Sequence, residues 1–377
     1  PYLFTGKLKN LARERLLDPD LMDVVDIMSF QRQQSRDTLP EGVTAQHTDN
    51  QALSAVEVAL AKLIAADPLP VATIPTHRQA LVVGSGIAGM QAALAVADHG
   101  YPVTIVEREE TLGGNLNWLH HTIEGYLLTP LLEETVQKIE NHPLVEVRTQ
   151  TTISASFGEA GSFYTTMTDI GGEHHTIEHA TVILATGGSE AETRSYGSGE
   201  HPSVITQKAL EMRMGKADFN AGDLQAVVMI QCVDSRQEPR NYCSRVCCPT
   251  SLKHALKLKE LNPDIAVYIL YRDMMTPGFL ESYFTEARKK GVIFIQYDPQ
   301  DKPELVGAPS PGDPLYVAVV DPLLGRPLHI RADLLVLATG IVPQLSPEMV
   351  GLFGAHLDQD GFFREADSKW RPVDALK

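Results

Sequence analysis

The chain has 377 residues, 43 % hydrophobic and 21 % charged, enough apolar material for a large core without disulfide or metal staples. Its formal charge of −16 opposes binding to phosphate backbones and anionic lipid. With no apolar run near the roughly 20 residues that cross a bilayer and no signal-peptide core, the expected compartment is the cytoplasm, without nucleic acid and without direct membrane insertion.

Residues 1–76 are expected to form a helical extension and linker. One helical piece runs over about 8–30. A second, QALSAVEVALAKLIAAD, sets Leu53, Val56, Val58, Leu60, Leu63 and Ile64 roughly on one face. A polar loop separates the two, and PLPVATIPT reads as a Pro-rich linker. From Gln79 the pattern becomes strand, Gly-rich turn, helix and strand. Further strands follow in LVEVRTQTTI, SFYTTMTDI and ATVILATGG, with His174 and His175 in a polar turn between two of them. A second unit starts at LQAVVMIQC. It continues with a helix (PTSLKHALKLKELN), a strand (IAVYILYRD), a helix ending in Arg288, Lys289 and Lys290, and a strand (VIFIQY). Such alternation predicts parallel sheets wound by helices, an α/β fold. DLLVLATG later echoes TVILATGG.

The first strand leads into Gly84-Ser85-Gly86-Ile87-Ala88-Gly89. In G-x-G-x-x-G the first glycine permits the tight turn, the second lets a pyrophosphate approach the backbone, and the third lets helix and strand pack closely. The helix N-terminus then offers unpaired N–H groups to the phosphates. The next strand ends at Glu107, whose carboxylate can accept from ribose hydroxyls. Arg108 follows, and six residues after Glu107 come Gly113, Gly114 and Asn115. This order resembles the two-dinucleotide-fold flavoproteins, where those glycines approach the cofactor. Thr186 and Gly187 in ATGG, with Thr339 and Gly340 in ATG, resemble the two chain crossings of that group. The resemblance implies FAD and a thioredoxin-reductase-like, two-dinucleotide-binding-domain flavoprotein fold with an N-terminal helical extension. Residues 77–205 plus 326–377 are the expected FAD domain, and 206–325 a degenerate NAD-type domain. The usual third FAD motif would begin where RPVDALK ends, so truncation of the C-terminus is expected.

The strand AVVMIQ runs into Cys232 with no glycine until Gly278, so nicotinamide dinucleotide binding in the usual mode is not expected. All four cysteines, Cys232, Cys243, Cys247 and Cys248, fall in this stretch as C-x10-C-x3-C-C. Four thiolates suit a 4Fe–4S cluster, although the spacing is not that of a ferredoxin. Zinc commonly takes C-x2-C pairs. A redox disulfide or four buried thiols also remain open. The run QCVDSR…NYCSRVCC, followed by SLKHALKLKE and IAVYILYRD, closely resembles the A-type subunits of heterodisulfide reductase and of the quinone-interacting membrane-bound oxidoreductase. The likeness covers roughly residues 50–377. It implies FAD, a 4Fe–4S cluster on the four cysteines, and Lys253 and Glu211 beside the isoalloxazine.

The resemblance also implies other electron-transfer subunits as partners (heterodisulfide reductase B- or C-like), or a ferredoxin-type or thiol/disulfide redox partner, and is compatible with a homodimer. Larger relatives carry C-x2-C-x2-C inserts that this chain lacks, so its own wiring is one flavin and at most one cluster, and electron bifurcation is left uncommitted. Two rivals stand: a stand-alone NAD(P)H-dependent thiol/disulfide reductase using Cys247 and Cys248, and a flavin-free scaffold. His120 and His121 are expected at the surface, and Asp234, Arg236, Glu238 and Arg240 in a solvated loop.

Overall fold

In the computed structural model of the chain, residues 53, 54, 56–62 and 76–375 are described, except 308, 309, 311, 312, 323 and 346. The chain divides into two units, Pro1–Ile74 and Pro75–Lys377. In the first, residues 53, 54 and 56–62 are helical, inside the second expected helix. The expected helix at 8–30 and most of the linker lie outside the described residues.

The second unit opens with β1 (Ala80–Val83), α1 (Ile87–Asp98) and β2 (Val103–Val106). Next come α2 (Thr129–Asn141), β3 (Val145–Arg148), β4 (Thr151–Glu159), β5 (Ser162–Asp169), β6 (His174–His179), β7 (Thr181–Leu184) and β8 (Gly188–Glu190). Strands β3, β2, β1 and β7 form a parallel sheet, while β4, β5 and β6 form an antiparallel meander. Side chains alternate across β1 as the pleat demands. Ala80 and Val82 pack with Met90, Ala93 and Ile139 of the helices, and Leu81 and Val83 pack with Met167 of the meander. His174 and His175 are not in a turn, as expected, but in β6. The reversal is taken by Gly171 and Gly172, and His174 Nδ1 pairs with Thr168 Oγ1 at 2.9 Å across the meander.

The second sheet is drawn from β9 (Val204–Thr206), β10 (Ala226–Ile230), β11 (Ala266–Tyr271), β12 (Ile293–Gln296) and β16 (Leu334–Leu337). Its helices are α3 (Gln207–Met214), α4 (Cys247–Leu261) and α5 (Glu281–Lys289). Between β12 and β16 lie β13 (Glu304–Leu305), β14 (Leu315–Asp321) and β15 (Arg326–Ala332). The short β17 (Ile341–Pro343) follows β16, and α6 (Pro347–Leu352) follows β17. The parallel order is β12, β11, β10, β16, β9. The expected boundaries at 206 and 326 therefore need correction. β9 and β16 pair into this second sheet, and a break at 326 would cut the β14–β15 hairpin. Helix α4 also begins at Cys247 rather than at Pro249, with Val246 as its N-cap.

Val227 and Met229 face Leu252, Ala255 and Leu258 of α4, while Val228 and Ile230 face Val317, Val319 and Ile330 of the hairpin. Met229 is 0 % exposed at the centre of that sheet. Met229→Ala is expected to lower unfolding free energy by about 2–5 kcal/mol, because its neighbours cannot collapse into the space. Urea denaturation checks this, and a loss under about 1 kcal/mol would mean the core is not packed as described.

Candidate functional site

At the β1–α1 turn Gly84 and Gly89 make the tight turn and the close helix packing that their spacing predicts. Gly84 has φ +100°, and a Cβ there would overlap the Ala185 carbonyl. A Cβ on Gly89 would overlap the Gly84 carbonyl, so only glycine lets α1 lie this close to β1. Gly86 faces open space and is the N-cap of α1, with no side chain capping the first-turn N–H groups. Those groups face a cavity of about 560 Å3 lined by Gly84, Gly86, Glu107, Arg108, Gly113, Gly114, Asn115, Thr186 and Gly187 among others. Free helix N–H groups and the helix dipole suit a phosphate there.

Glu107 holds the turn from below. Its Oε2 accepts from Ser85 N at 2.8 Å and Ser85 Oγ at 2.5 Å, and its Oε1 accepts from Glu109 N at 3.0 Å. Oε1 keeps room for a further donor such as a ribose hydroxyl. Gly113 N donates to Ser85 O, and a Cβ on Gly114 would press on Gly86 Cα, which is why a glycine pair stands there. Asn115 Nδ2 donates to Gly188 O at 3.0 Å, tying this loop to the first crossing, and Arg108 donates to Gln344 Oε1 at 2.8 Å. An extended adenine dinucleotide fits this cradle.

Thr339 and Gly340, expected with these residues, do not line the cavity. Strands β8 and β17 pair antiparallel as a two-stranded ribbon, Glu190 opposite Ile341. Gly187 and Gly188 of the first crossing reach the dinucleotide cavity, but the second crossing faces the cysteine loop. Thr339 O accepts from Arg240, Tyr242 Oη donates to Ile341 O at 2.8 Å, and Ile341 N donates to Ser244 Oγ at 2.9 Å. The two crossings resemble each other in sequence but serve different neighbours.

Cys232, Cys243, Cys247 and Cys248 line one small cavity with Ser235, Arg236, Ser244, Arg245, Asp273 and Met275. It occupies the end of β10 and the start of α4, where a second dinucleotide loop would stand. Gln207 Nε2 donates to Cys247 O at 2.8 Å and to Ser251 Oγ at 2.7 Å, and Gln231 Nε2 donates to the same hydroxyl, fixing the helix start. Cys232, Asp234 and Arg236 all have positive φ, 58°, 49° and 58°, and Arg245 has 62°. Left-handed backbone at non-glycine residues costs about 1–3 kcal/mol each, and alternating conformations of this kind form N–H concavities that hold anionic groups. Arg236 Nη1 and Arg272 Nε are buried without a partner beside this cavity. The other terminal nitrogen of Arg236 lies 2.8 Å from Asp273 Oδ2, so the loop is more tightly held than the solvated one expected.

Burial pushes the thiols up, Cys247 to about 12 and Cys248 to about 11, and Cys232 in the same direction against the pull of Arg236. Among the described residues, a set of three ligand atoms within 4.8 Å of one another is formed by Asp169, Glu173 and His175 at the β5–β6 reversal, and not by any three of the four sulfurs. A lone tetrahedral zinc with bonds of about 2.3 Å would draw its sulfurs to about 3.8 Å. Four soft donors, a wider spread and unpaired guanidinium N–H groups fit an anionic iron–sulfur cluster better.

Lys253 and Glu211 meet. Lys253 Nζ lies 2.8 Å from Glu211 Oε2 and donates to His121 O at 3.0 Å. Glu211 is 1 % exposed, and His254 Nε2 lies 2.5 Å from the same Oε2. Glu211 Oε1 accepts from His120 N at 3.0 Å, with His121 Nδ1 at 3.7 Å. Burial pushes Glu211 toward protonation, but the hydrogen bonds and charges of His254 and Lys253 outweigh it and hold the carboxyl well below its usual range. Burial lowers both His254 and His121. His121 is thus not at the surface as expected, and His254 is a site residue that the sequence reading misses. A histidine flanked by buried Ser251, Leu252 and Ala255 on α4 is the available signal.

Fold and cavity together define a thioredoxin-reductase-like architecture with a dinucleotide cradle. Residues 78–215 match the pyridine nucleotide-disulphide oxidoreductase family. Thioredoxin reductase of Lactococcus lactis superposes with a TM-score of 0.53 at 17 % identity, covering 78 % of this chain and 87 % of that one. More particularly, the chain is similar along nearly its whole length to A-type subunits of heterodisulfide reductases. It is 28 % identical to the iron–sulfur A1-type subunit of the CoB–CoM heterodisulfide reductase of Methanopyrus kandleri, across 99 % of this chain and 69 % of that protein. It is 26 % identical to the A-type subunit of the ferredoxin:CoB–CoM heterodisulfide reductase of Methanosarcina mazei, across 100 % of this chain and 58 % of that protein. No helix among the described residues is long and apolar enough to cross a membrane.

Proposed function

We propose that the chain is the FAD- and iron–sulfur-dependent electron-transfer subunit of a cytoplasmic, heterodisulfide-reductase-like complex. One observation carries this reading: the ribbon β8–β17 links the two cavities, since Gly188 of β8 lines the dinucleotide cavity while Gly340 and Ile341 at the start of the second strand pack on Ser235 and Ser244 of the four-cysteine cavity. When bound, FAD takes up electrons in pairs and a 4Fe–4S cluster passes them singly. Gly84, Gly86 and Gly89 admit the pyrophosphate, Glu107 takes the ribose, and Gly113, Gly114, Asn115, Thr186 and Gly187 line the remaining cavity. Cys232, Cys243, Cys247 and Cys248 are the cluster ligands. Lys253, held by Glu211, would supply the positive charge that favours a reduced anionic flavin. The partners are further electron-carrying subunits or a ferredoxin-type or thiol/disulfide protein.

Protein purified without oxygen is expected to contain about one FAD and about four iron and four labile sulfide per chain. Flavin without stoichiometric iron would favour a dithiol reductase instead. A colourless protein that cannot be reconstituted with FAD would favour a scaffold.

A further inference from the structure

Glu211 collects more donors than an ion pair needs. Lys253 and His254 reach it from α4, His120 N–H and the His121 ring reach it from the segment after the glycine pair, and Lys257 stands beyond His121. His254 is 0 % exposed, and its Nδ1 has no partner. An ionised carboxylate can only accept, so the Nε2 that faces it carries a proton, while Nδ1 has no partner. Lys253 Nζ and His254 Nε2 share a single oxygen of Glu211, Oε2. Whatever moves that oxygen moves the ammonium.

We propose that His254 is a positioning residue: its buried Nε2–H aims the Glu211 carboxylate, and that carboxylate in turn holds the Lys253 ammonium against the His121 carbonyl. The placement of Lys253 follows from the chain's own contacts, while its consequence for a flavin rests on the function proposed above. His254 touches no cofactor cavity and acts only through Glu211. A Gln side chain can place its amide N–H near the Nε2 position, whereas the shorter Asn reaches only as far as Nδ1. The two substitutions are of similar polarity and differ in whether the aim is kept.

The first test needs no cofactor. Apo protein is acetylated with acetic anhydride, and the labelling rate of Lys253 is read by peptide mass spectrometry against Lys257 and Lys259 on the same helix. Lys253 is expected to label slowly in the wild type and in H254Q, and at least about 10-fold faster in H254N and E211Q, as expected when a charge-assisted hydrogen bond is lost. Equal rates in H254N and wild type would overturn the proposal, as would a slow E211Q. The second test measures the FAD midpoint potential, expected to shift in H254N and not in H254Q. If labelling behaves as expected and the potential stays put, the positioning role stands and Lys253 is not beside the flavin. If labelling does not respond, the positioning role fails whatever the flavin does.

Discussion

Cys247→Ser protein purified without oxygen is expected to keep its FAD and to lose nearly all its iron and labile sulfide, from about four of each per chain to well under one. The substitution changes little in volume, so the start of α4 should survive it. The anchors there are independent of the sulfur, since Gln207 donates to the Cys247 carbonyl and Ser251 is buried one turn on. What changes is the donor. A serine hydroxyl is hard and weakly acidic, whereas cluster iron takes soft thiolate. FAD should be spared because the two cavities share no lining residue. Iron, sulfide and flavin are assayed on one sample. Wild-type iron in the variant would remove Cys247 from the ligand set. Parallel loss of flavin would mean that the cysteine loop shapes the dinucleotide cavity after all.

The two sites differ in how far their residues can be read from sequence, and the difference is physical. Gly84, Gly86 and Gly89 act within one turn, so spacing alone states what each is for, and the tight turn at Gly84 and the close packing at Gly89 are visible in the backbone. The cysteines are legible as a group because they crowd one loop. Thr339 and Gly340 are misplaced by sequence reasoning because an ATG sequence marks a crossing without saying which way it faces. The antiparallel pairing of β8 with β17 decides that, and Gly188 and Pro343 lie 155 positions apart. The domain limits slip for the same reason, since β9 and β16 join the second sheet by parallel pairing across more than 120 residues. His121 and His254 look bland in the sequence because their partner, Glu211, is distant from both, 43 residues in the case of His254. A buried histidine without its partner looks like any polar residue on a helix.

Glu211→Leu is expected to destabilise the protein by about 3–5 kcal/mol at neutral pH, because it leaves the Lys253 ammonium buried with no counter-charge. The apolar double variant Glu211→Leu/Lys253→Met should recover most of that loss, since a buried pair exchanged for apolar volume is often near neutral. The pH dependence separates the contributions. Glu211 titrates below its ordinary value of 4.5 in the folded protein, so its stabilisation is complete above about 4.5 and is lost as pH falls toward the folded value. His254 and His121 titrate below their ordinary 6.5, so the unfolded chain binds their protons first and stability begins to fall below about 6.5. Wild-type protein should therefore weaken in two stages on acidification. Glu211→Gln should retain the loss that begins below 6.5, steepened because His254 no longer has a carboxylate to raise its affinity, while the lower stage shrinks. Denaturation midpoints in chemical denaturant across this range measure both stages. Parallel curves for wild type and Glu211→Gln below pH 4.5 would show that Glu211 is not ionised in the folded state, and the charge arrangement described for Lys253 would fall with it.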